Sequence, residues 1–325
     1  MPPVALAQVL SQLNVPKSED VIVGFENAED AAVYRLNDEE AILQTIDVIT
    51  PLVDDPFVFG GIAAANAMSD VYAMGGNPLT ALSFVGYPRK GDLKILTQIL
   101  AGAVEMLHSA GCFLVGGHSV VDDQLKVGFV VVGRVKISDL KRNSTARVGD
   151  RLVLTKPIGT GIIATAIKQQ KASPRVIENA VAWMTQLNRE AAELMVQHKA
   201  SSATDITGFG LLGHAMEMAK GSGVTLQLEV ARIPVLDGAA ELAETSAPGG
   251  TDSNREYVGD HLDLRAKVDK RMSNILFDPQ TSGGLLIAFA SQEAEAFVTA
   301  MKGRGRMAVI IGRVAAAERR LLQLL

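Results

Sequence analysis

Cysteine is nearly absent: Cys112 is the one such residue in 325, so no disulfide can form within the chain, which suits a reducing cytoplasm. It lies in the apolar run CFLVG, the setting of a buried small hydrophobe rather than a reactive thiolate. A basic surplus is lacking too. The formal charge is −5 and the pI near 5.6, so nothing in the bulk charge attracts nucleic acid or an anionic membrane, and a small-molecule enzyme fits better. No stretch approaches the ~18 uninterrupted apolar residues of a membrane span. The opening MPPVALAQVLSQL has neither a basic start nor a cleavage site. These absences together lead to the expectation of a soluble, cytoplasmic protein with no nucleic-acid or membrane partner.

What is present is apolar material for two cores, 48% of the residues being hydrophobic. Strand-like and helix-like segments alternate throughout with no fixed repeat, which predicts an α/β or α+β fold in two domains. Residues 1–14 read as a short helix, and residues 21–23, 31–36 and 41–49 as strands. A helix over 60–74 is stopped by Gly75-Gly76. An extended segment over 79–87, a helix over 93–110 and strands over 113–115 and 127–135 follow. Residues 136–150 turn polar and charged, which puts the junction there and divides the chain into residues 1–145 and 146–325. The second half restarts with the strand and glycine turn RLVLTKPIGTG, continues through helices to about residue 199, and has a Gly-, Asp-, Ser- and Asn-rich stretch at 249–263 that reads as a loop.

In GGIAAANAMSDVYAMGG nearly every position is small or apolar, yet Asn66, Ser69 and Asp70 fall at i, i+3 and i+4 on one face. A single narrow polar stripe on a buried helix needs a polar counterpart: an internal hydrogen-bond network, an enclosed site, or a cation. Asp30 stands in the acidic cluster GFENAEDAAVY and Asp47 at the polar end of AILQTID, both where loops leave a sheet; Asp205 precedes a glycine-rich helix start in TDITGFGLLGH. Each alone is commonly a turn or cap residue, as is the Asp54-Asp55-Pro56 segment. Four carboxylates around one pocket, however, would repel an anionic ligand unless divalent cations bridged them to it. Magnesium does this for polyphosphates. In FLVGGHSVVDD a short strand reads as ending at Gly116-Gly117, a turn whose backbone could approach a phosphate or ribose beside His118, or an ordinary tight turn. Gly208, Gly210 and Gly213 match G-x-G-x-x-G with Glu229 downstream, but the small, polar SSATDIT before them argues against a dinucleotide fingerprint. LTKPIGTG lacks the phosphate-loop pattern, so Lys156 receives no catalytic role.

Across almost the whole chain, EDAAVY, QTIDVITPLVDDPFVFGGIAAANAMSDVYAMGGNPLTAL, VGGHSV, LTKPIGTGI, TDITGFGLLGHAMEMA, PGGT with Asn254, and DPQTSGGLL are similar to segments of the selenide, water dikinases (selenophosphate synthetases). Parts of this pattern are shared with the wider superfamily of aminoimidazole ribonucleotide synthetase, thiamine monophosphate kinase and a hydrogenase maturation protein. The resemblance implies a homodimer of two-domain subunits, the N-terminal strands forming a barrel across the dimer and ATP lying near the domain and subunit boundary. Asp30, Asp70 and Asp205 would be magnesium ligands and Asp47 would contact ATP or a further metal. Asp70 would thereby also serve the nucleotide. Asn27, Ala28 and Glu29 match a nucleotide-contacting loop, and Gly116, Gly117 and His118 would reach the nucleotide from the neighbouring subunit. The implied reaction turns ATP, selenide and water into selenophosphate, AMP and orthophosphate. Another ATP-using enzyme of the superfamily and a non-catalytic nucleotide-binding paralogue are the competing readings. In this family a catalytic cysteine or selenocysteine and a lysine precede the helix that MPPVALAQVL matches, so both are expected upstream of Met1 and no catalytic residue is assigned within the chain. A selenocysteine codon read as a stop, or deliberate trimming, would account for that.

Overall fold

The computed structural model describes residue 9, residues 12–13, 18–24 and 28–325. The helix expected over 1–14 lies, but for three positions, outside them, and so does Asn27.

The described residues form two sheets. The first contains β1 (Val21–Val23), β2 (Ala32–Arg35), β3 (Glu40–Ile49), β4 (Asn77–Tyr87), β5 (Phe113–Val121) and β6 (Lys126–Lys136), in the order β1-β2-β3-β6-β4-β5. All neighbours are antiparallel except β4 and β5. Within one chain this sheet is open rather than a closed barrel. Strand β3 shows why it has two unlike faces. Ala41 and Leu43 are buried beneath the helices, whereas Ile46 and Val48 are 58% and 39% exposed on the opposite face. Across the ladder Ile46 pairs with Val130, which in turn pairs with Leu82, so an apolar row crosses the uncovered side.

Helix α1 (Pro56–Ala73) and α2 (Leu93–Ser109) cover the other face. The helix α1 begins four residues earlier than its apolar pattern indicated, because Asp55 is its N-cap, accepting from the amides of Phe57 and Val58 at 2.8 and 3.1 Å, with Pro56 in the first turn. The two helices meet at glycines: a Cβ on Gly60 would lie 1.8 Å from the Ile99 carbonyl oxygen, and one on Gly102 would lie 1.9 Å from that of Phe57.

The second sheet runs β10-β13-β9-β12-β7-β11-β8. In chain order its parts are β7 (Arg151–Leu154), α3 (Thr160–Lys168), α4 (Pro174–Thr185), α5 (Arg189–Gln197), β8 (Ser202–Asp205), α6 (Gly210–Ser222), β9 (Thr225–Leu228), α7 (Ala239–Leu242), α8 (Gly250–Val258), β10 (Leu262–Leu264), α9 (Lys270–Leu276), β11 (Leu285–Phe289), α10 (Ser291–Gly303), β12 (Val309–Ala315) and β13 (Leu322–Leu324). In β11, Leu285, Ile287 and Phe289 enter a core continuous with α1, while Leu286 and Ala288 enter a second core with α6. Burial on both faces explains the unbroken apolar run LLIAF.

Two expectations are corrected here. The stretch 249–263 is not a loop; it contains α8, whose buried Thr251, Asn254 and Val258 fall at i, i+3 and i+7. Asp252, Ser253 and Glu256 occupy its exposed outer side. The dinucleotide fingerprint fails for a different reason from the one inferred. SSATDIT does contain a fully buried strand, β8, but three strands separate β8 from β9, so α6 joins no adjacent pair.

Candidate active site

The polar stripe of α1 meets the second half of the molecule. Asn66 Oδ1 accepts from the Ser282 amide at 2.7 Å, and Asn188 Nδ2 donates to Ser69 Oγ and to the Gly283 carbonyl, both at 2.9 Å. Asp70, one turn on from Asn66, stands with Asp30 and Asp205, one carboxylate oxygen of each within 4.8 Å of the others. Three elements deliver them: the segment entering β2, the last turn of α1, and the C-terminal end of β8.

Hydroxyl groups fix two of the three. Thr45 Oγ1 donates to Asp70 Oδ2 at 2.5 Å, and Thr204 Oγ1 donates to Asp30 Oδ1 at 2.6 Å. Asp47, on the same face of β3 as Thr45, accepts from Asn66 Nδ2 at 2.5 Å. Asn66 thus spans both halves, its carbonyl oxygen on the Ser282 amide and its amide nitrogen on Asp47. The second oxygens of Asp30 and Asp205 are buried with no hydrogen-bond partner. Leaving a carboxylate oxygen so costs several kcal/mol unless a cation or proton neutralises it.

The proton affinities show the same conflict. Burial, and then the Asp205 charge, hold Asp30 and Asp70 well above the usual carboxylate range. Burial and Asp205 push Asp47 up to about 7, with Asn66 opposing. Burial raises Asp205 itself to about 6, against the pull of Ser69 and Lys156. Lys156, which the sequence left without a role, is 1% exposed and donates from Nζ to the carbonyls of Gln186 and Ser282 at 2.6 and 2.8 Å. Burial lowers its pKa to about 7. It ties the DPQTSGG segment to the α4–α5 turn but pairs directly with no carboxylate of the cluster.

Beside the cluster a cleft of 430 Å³ lies between the halves, with Asp47, Thr50 and Asn66 on one side, Thr207 and Thr281 on the other, and Lys168 the cation among its lining residues. The N-terminal end of α3 also faces it, but that end is filled. Gln280 Oε1 accepts from the amides of Gly159 and Thr160 at 2.8 and 3.0 Å, and Asp278 Oδ2 accepts from that of Gly161 at 2.9 Å. The glycine turn of LTKPIGTG therefore receives a protein carboxylate and amide where a phosphate loop would receive phosphate.

Among known proteins, the family described as AIR synthase related protein matches twice, its N-terminal domain over residues 28–135 and its C-terminal domain over 147–323. The selenide, water dikinase of Geobacter metallireducens (strain ATCC 53774 / DSM 7210 / GS-15) is 48% identical over 316 residues, covering 96% of this chain and 92% of that protein. This chain belongs to the selenide, water dikinase family. The selenide, water dikinase of Clostridioides difficile (strain 630) is 45% identical over 317 residues, 96% of this chain and 90% of the relative. A solved structure of AaThiL complexed with AMPPCP and TMP superposes with a TM-score of 0.71 at 17% identity over 98% of this chain and 91% of that one. Hydrogenase Maturation Protein HypE in complex with ATP gives 0.66 at 19% identity, over 98% and 91%. At these identities the solved structures share the fold with this dikinase-family chain.

The structure thus gathers Asp30, Asp70, Asp205 and Asp47 into one region. It leaves the Gly116–His118 segment apart. Gly116, Gly117 and His118 do not form a turn; they lie within β5, the exposed edge strand, paired with Leu82, Ser83 and Phe84. A Cβ on Gly117 would sit 2.2 Å from Ser83 Oγ and 2.3 Å from the Ser83 carbonyl oxygen, so the glycine serves strand approach. Strands β4 and β6 separate β5 from β3 and Asp47. Ala28 and Glu29 lead into Asp30, and both oxygens of Glu29 accept hydrogen bonds from residues 143 and 144. Cys112 is 1% exposed, and burial pushes its thiol up to about 11, so it remains an inert core residue.

Proposed function

We propose that this chain carries out the reaction its family name describes, converting ATP, selenide and water to selenophosphate, AMP and orthophosphate, with magnesium and the nucleotide held at the carboxylate cluster and its cleft. The observation carrying this reading is the meeting of three carboxylates from both halves, two of them with unpartnered buried oxygens. Oxygen donors on firmly held side chains suit magnesium. Residues 1–145 then form the metal- and nucleotide-binding and dimerising domain, and residues 146–325 a C-terminal α/β domain that closes the site.

Magnesium bound here would neutralise the charge that develops on the phosphates as both anhydride bonds of ATP break. The chain's own work is placement. Asp30, Asp70 and Asp205 hold the cation, Thr45 and Thr204 aim their oxygens, and Asn66 sets Asp47 at the cleft wall. By the family resemblance, Asn27 and Ala28 would contact the nucleotide. Selenide, largely ionised already, needs orientation more than a base.

The uncovered face of the first sheet supports the rest of the assembly. Ile46, Leu82 and Val115 are 58%, 43% and 61% exposed on or beside the row described above, a large apolar surface for one protomer to leave in water. A second copy packed there, its strands completing a barrel, would bring its Gly116, Gly117 and His118 to the nucleotide. Leu82→Lys is expected to convert a dimer to monomers in sedimentation velocity; an unchanged dimer removes this face from the interface.

The activity is tested by following ATP, AMP, orthophosphate and selenophosphate by ³¹P NMR, with selenide and magnesium supplied or withheld, beside calorimetric ATP binding. AMP and selenophosphate should appear together and require both. Asp70→Asn should abolish magnesium-dependent ATP binding. Unchanged binding would place the nucleotide elsewhere, and AMP formed at the same rate without selenide would favour a different ATP-using reaction. Among the described residues no helix is long and apolar enough to cross a membrane.

A further inference from the structure

We infer that Glu29 is a positioning residue: its side chain clamps the 28–30 segment to the link between the two sheets and thereby sets Asp30 against Asp205. This rests on the reading of Asp30 and Asp205 as cation ligands. Three consecutive residues carry the argument. Ala28 has φ +50°, a left-handed conformation that costs a residue with a Cβ of order 1 kcal/mol and persists only where surroundings impose it. Asn143 Nδ2 imposes it by donating to the Ala28 carbonyl at 2.7 Å. Glu29 spends both carboxylate oxygens on the same link: Oε2 accepts from the Asn143 amide at 2.7 Å and Oε1 from Ser144 Oγ. Asp30 follows at once.

The link is itself anchored to the strand that bears Asp205. The Asn143 carbonyl accepts from Ser202 Oγ at 2.9 Å and from Ser222 Oγ at 3.3 Å, and Asn143 is 1% exposed. Glu29, residues 143–144, Ser202 and Asp205 therefore form one connected path, and Thr204 Oγ1 closes it by bonding Asp30. Both Glu29 oxygens are thereby turned toward the link. Its effect reaches the chemistry through the spacing of two carboxylates drawn from sheets more than 170 residues apart in sequence, Thr204 and Asp30 being separated by 174.

The test measures Mn²⁺ binding by the intensity of the free-ion EPR signal, on the whole chain with no nucleotide present, so that a nucleotide contact would not register. Glu29→Ala should weaken Mn²⁺ binding about 10-fold, the lower end of what lost support to a ligand usually costs, and Ser144→Ala should weaken it in the same direction. Glu29→Gln keeps a carbonyl oxygen for the Asn143 amide and offers Ser144 an N–H, so it should restore affinity to within about 3-fold. The Glu29→Ala and Ser144→Ala effects should be less than additive when combined. Asp30→Asn is the control. If Asp30→Asn abolishes Mn²⁺ binding while Glu29→Ala and Ser144→Ala leave it unchanged, the clamp is overturned and the cation site stands. Glu29→Gln as damaging as Glu29→Ala would overturn it too, since charge rather than reach would then matter. Unchanged binding in Asp30→Asn would instead overturn the cation reading beneath it.

Discussion

Asp205→Asn is expected to make the metal-free protein more stable while removing its activity. Asp205 is the residue whose charge raises the pKa values of Asp30, Asp47 and Asp70, and its own second oxygen has no partner. An amide of the same shape removes that repulsion. In chelator at pH 7.5 the gain should be about 1–2 kcal/mol, the worth of roughly one pKa unit of relieved interaction. If Asp205 ligates magnesium as proposed, the same change removes that ligand, so turnover should fall by about three orders of magnitude. The two effects are read together by denaturant melts with EDTA and with magnesium: the wild-type melt should shift upward with magnesium and that of the variant should not. A variant that is weaker without metal, yet still stabilised by magnesium, would sink the cluster reading. The pH dependence follows from the same groups. The pKa values of Asp47 and Asp205, about 7 and 6 in the folded chain, are raised above the ordinary 3.8. A raised pKa means stability that is complete below the unfolded value and lost as pH climbs through the folded one. Without metal, thermal stability should therefore decline between pH 5.5 and 7.5. Because protons compete with the cation for these oxygens, the stabilisation by magnesium should be larger at pH 7.5 than at 5.5.

Gly60→Ala should be the most damaging single methyl addition in the first half of the chain. Its Cβ would lie 1.8 Å from the Ile99 carbonyl oxygen, which is backbone of α2 and has no rotamer by which to retreat. The helices must separate, and overpacking of that kind costs about 2–4 kcal/mol. The loss should not be confined to stability, since α1 also carries Asn66, Ser69 and Asp70 to the other half. Magnesium affinity should drop in the folded fraction. Gly303→Ala is the control: no atom lies within 4 Å of its added Cβ, and the melt should be unchanged or slightly higher. Equal behaviour of the two variants would show that the helix crossing is not backbone-limited.

The contrast between Asp70 and Gly116 shows what the sequence could disclose. Asp70 was legible because a helix imposes a 3.6-residue period, and a polar stripe on a small-residue helix has few physical explanations. Asp47 was less legible: its sequence setting suggested a loop leaving the sheet, whereas it lies within β3, opposite Phe129. Gly116 and Gly117 were not, because paired glycines serve equally a turn and a close strand approach, and the deciding atom belongs to Ser83, more than thirty residues away. Helix α8 was hidden by its polar outer surface, although Thr251, Asn254 and Val258 held the helical spacing. Lys156, Gln280 and Asp278 each make a contact across more than 100 residues, and no local pattern marks them apart from the family segments LTKPIGTG and DPQTSGGLL. Glu29 belongs with these. Its position was marked by resemblance, while its hydrogen bonds run to residues 143 and 144.

The filled end of α3 has a consequence for how the cleft chooses among forms of one ligand. Helix ends commonly grip phosphates with their free amides, but here Gln280 and Asp278 have already taken those of Gly159, Thr160 and Gly161. On the proposed reading, a bare polyanion meeting Asp47 in the wall and the buried carboxylates beside it would find little backbone attraction to offset their repulsion, whereas one complexed with a divalent cation would find ligands for that cation. Such a cleft would discriminate by speciation, and its occupancy would track the cation-complexed share of the nucleotide pool rather than the total.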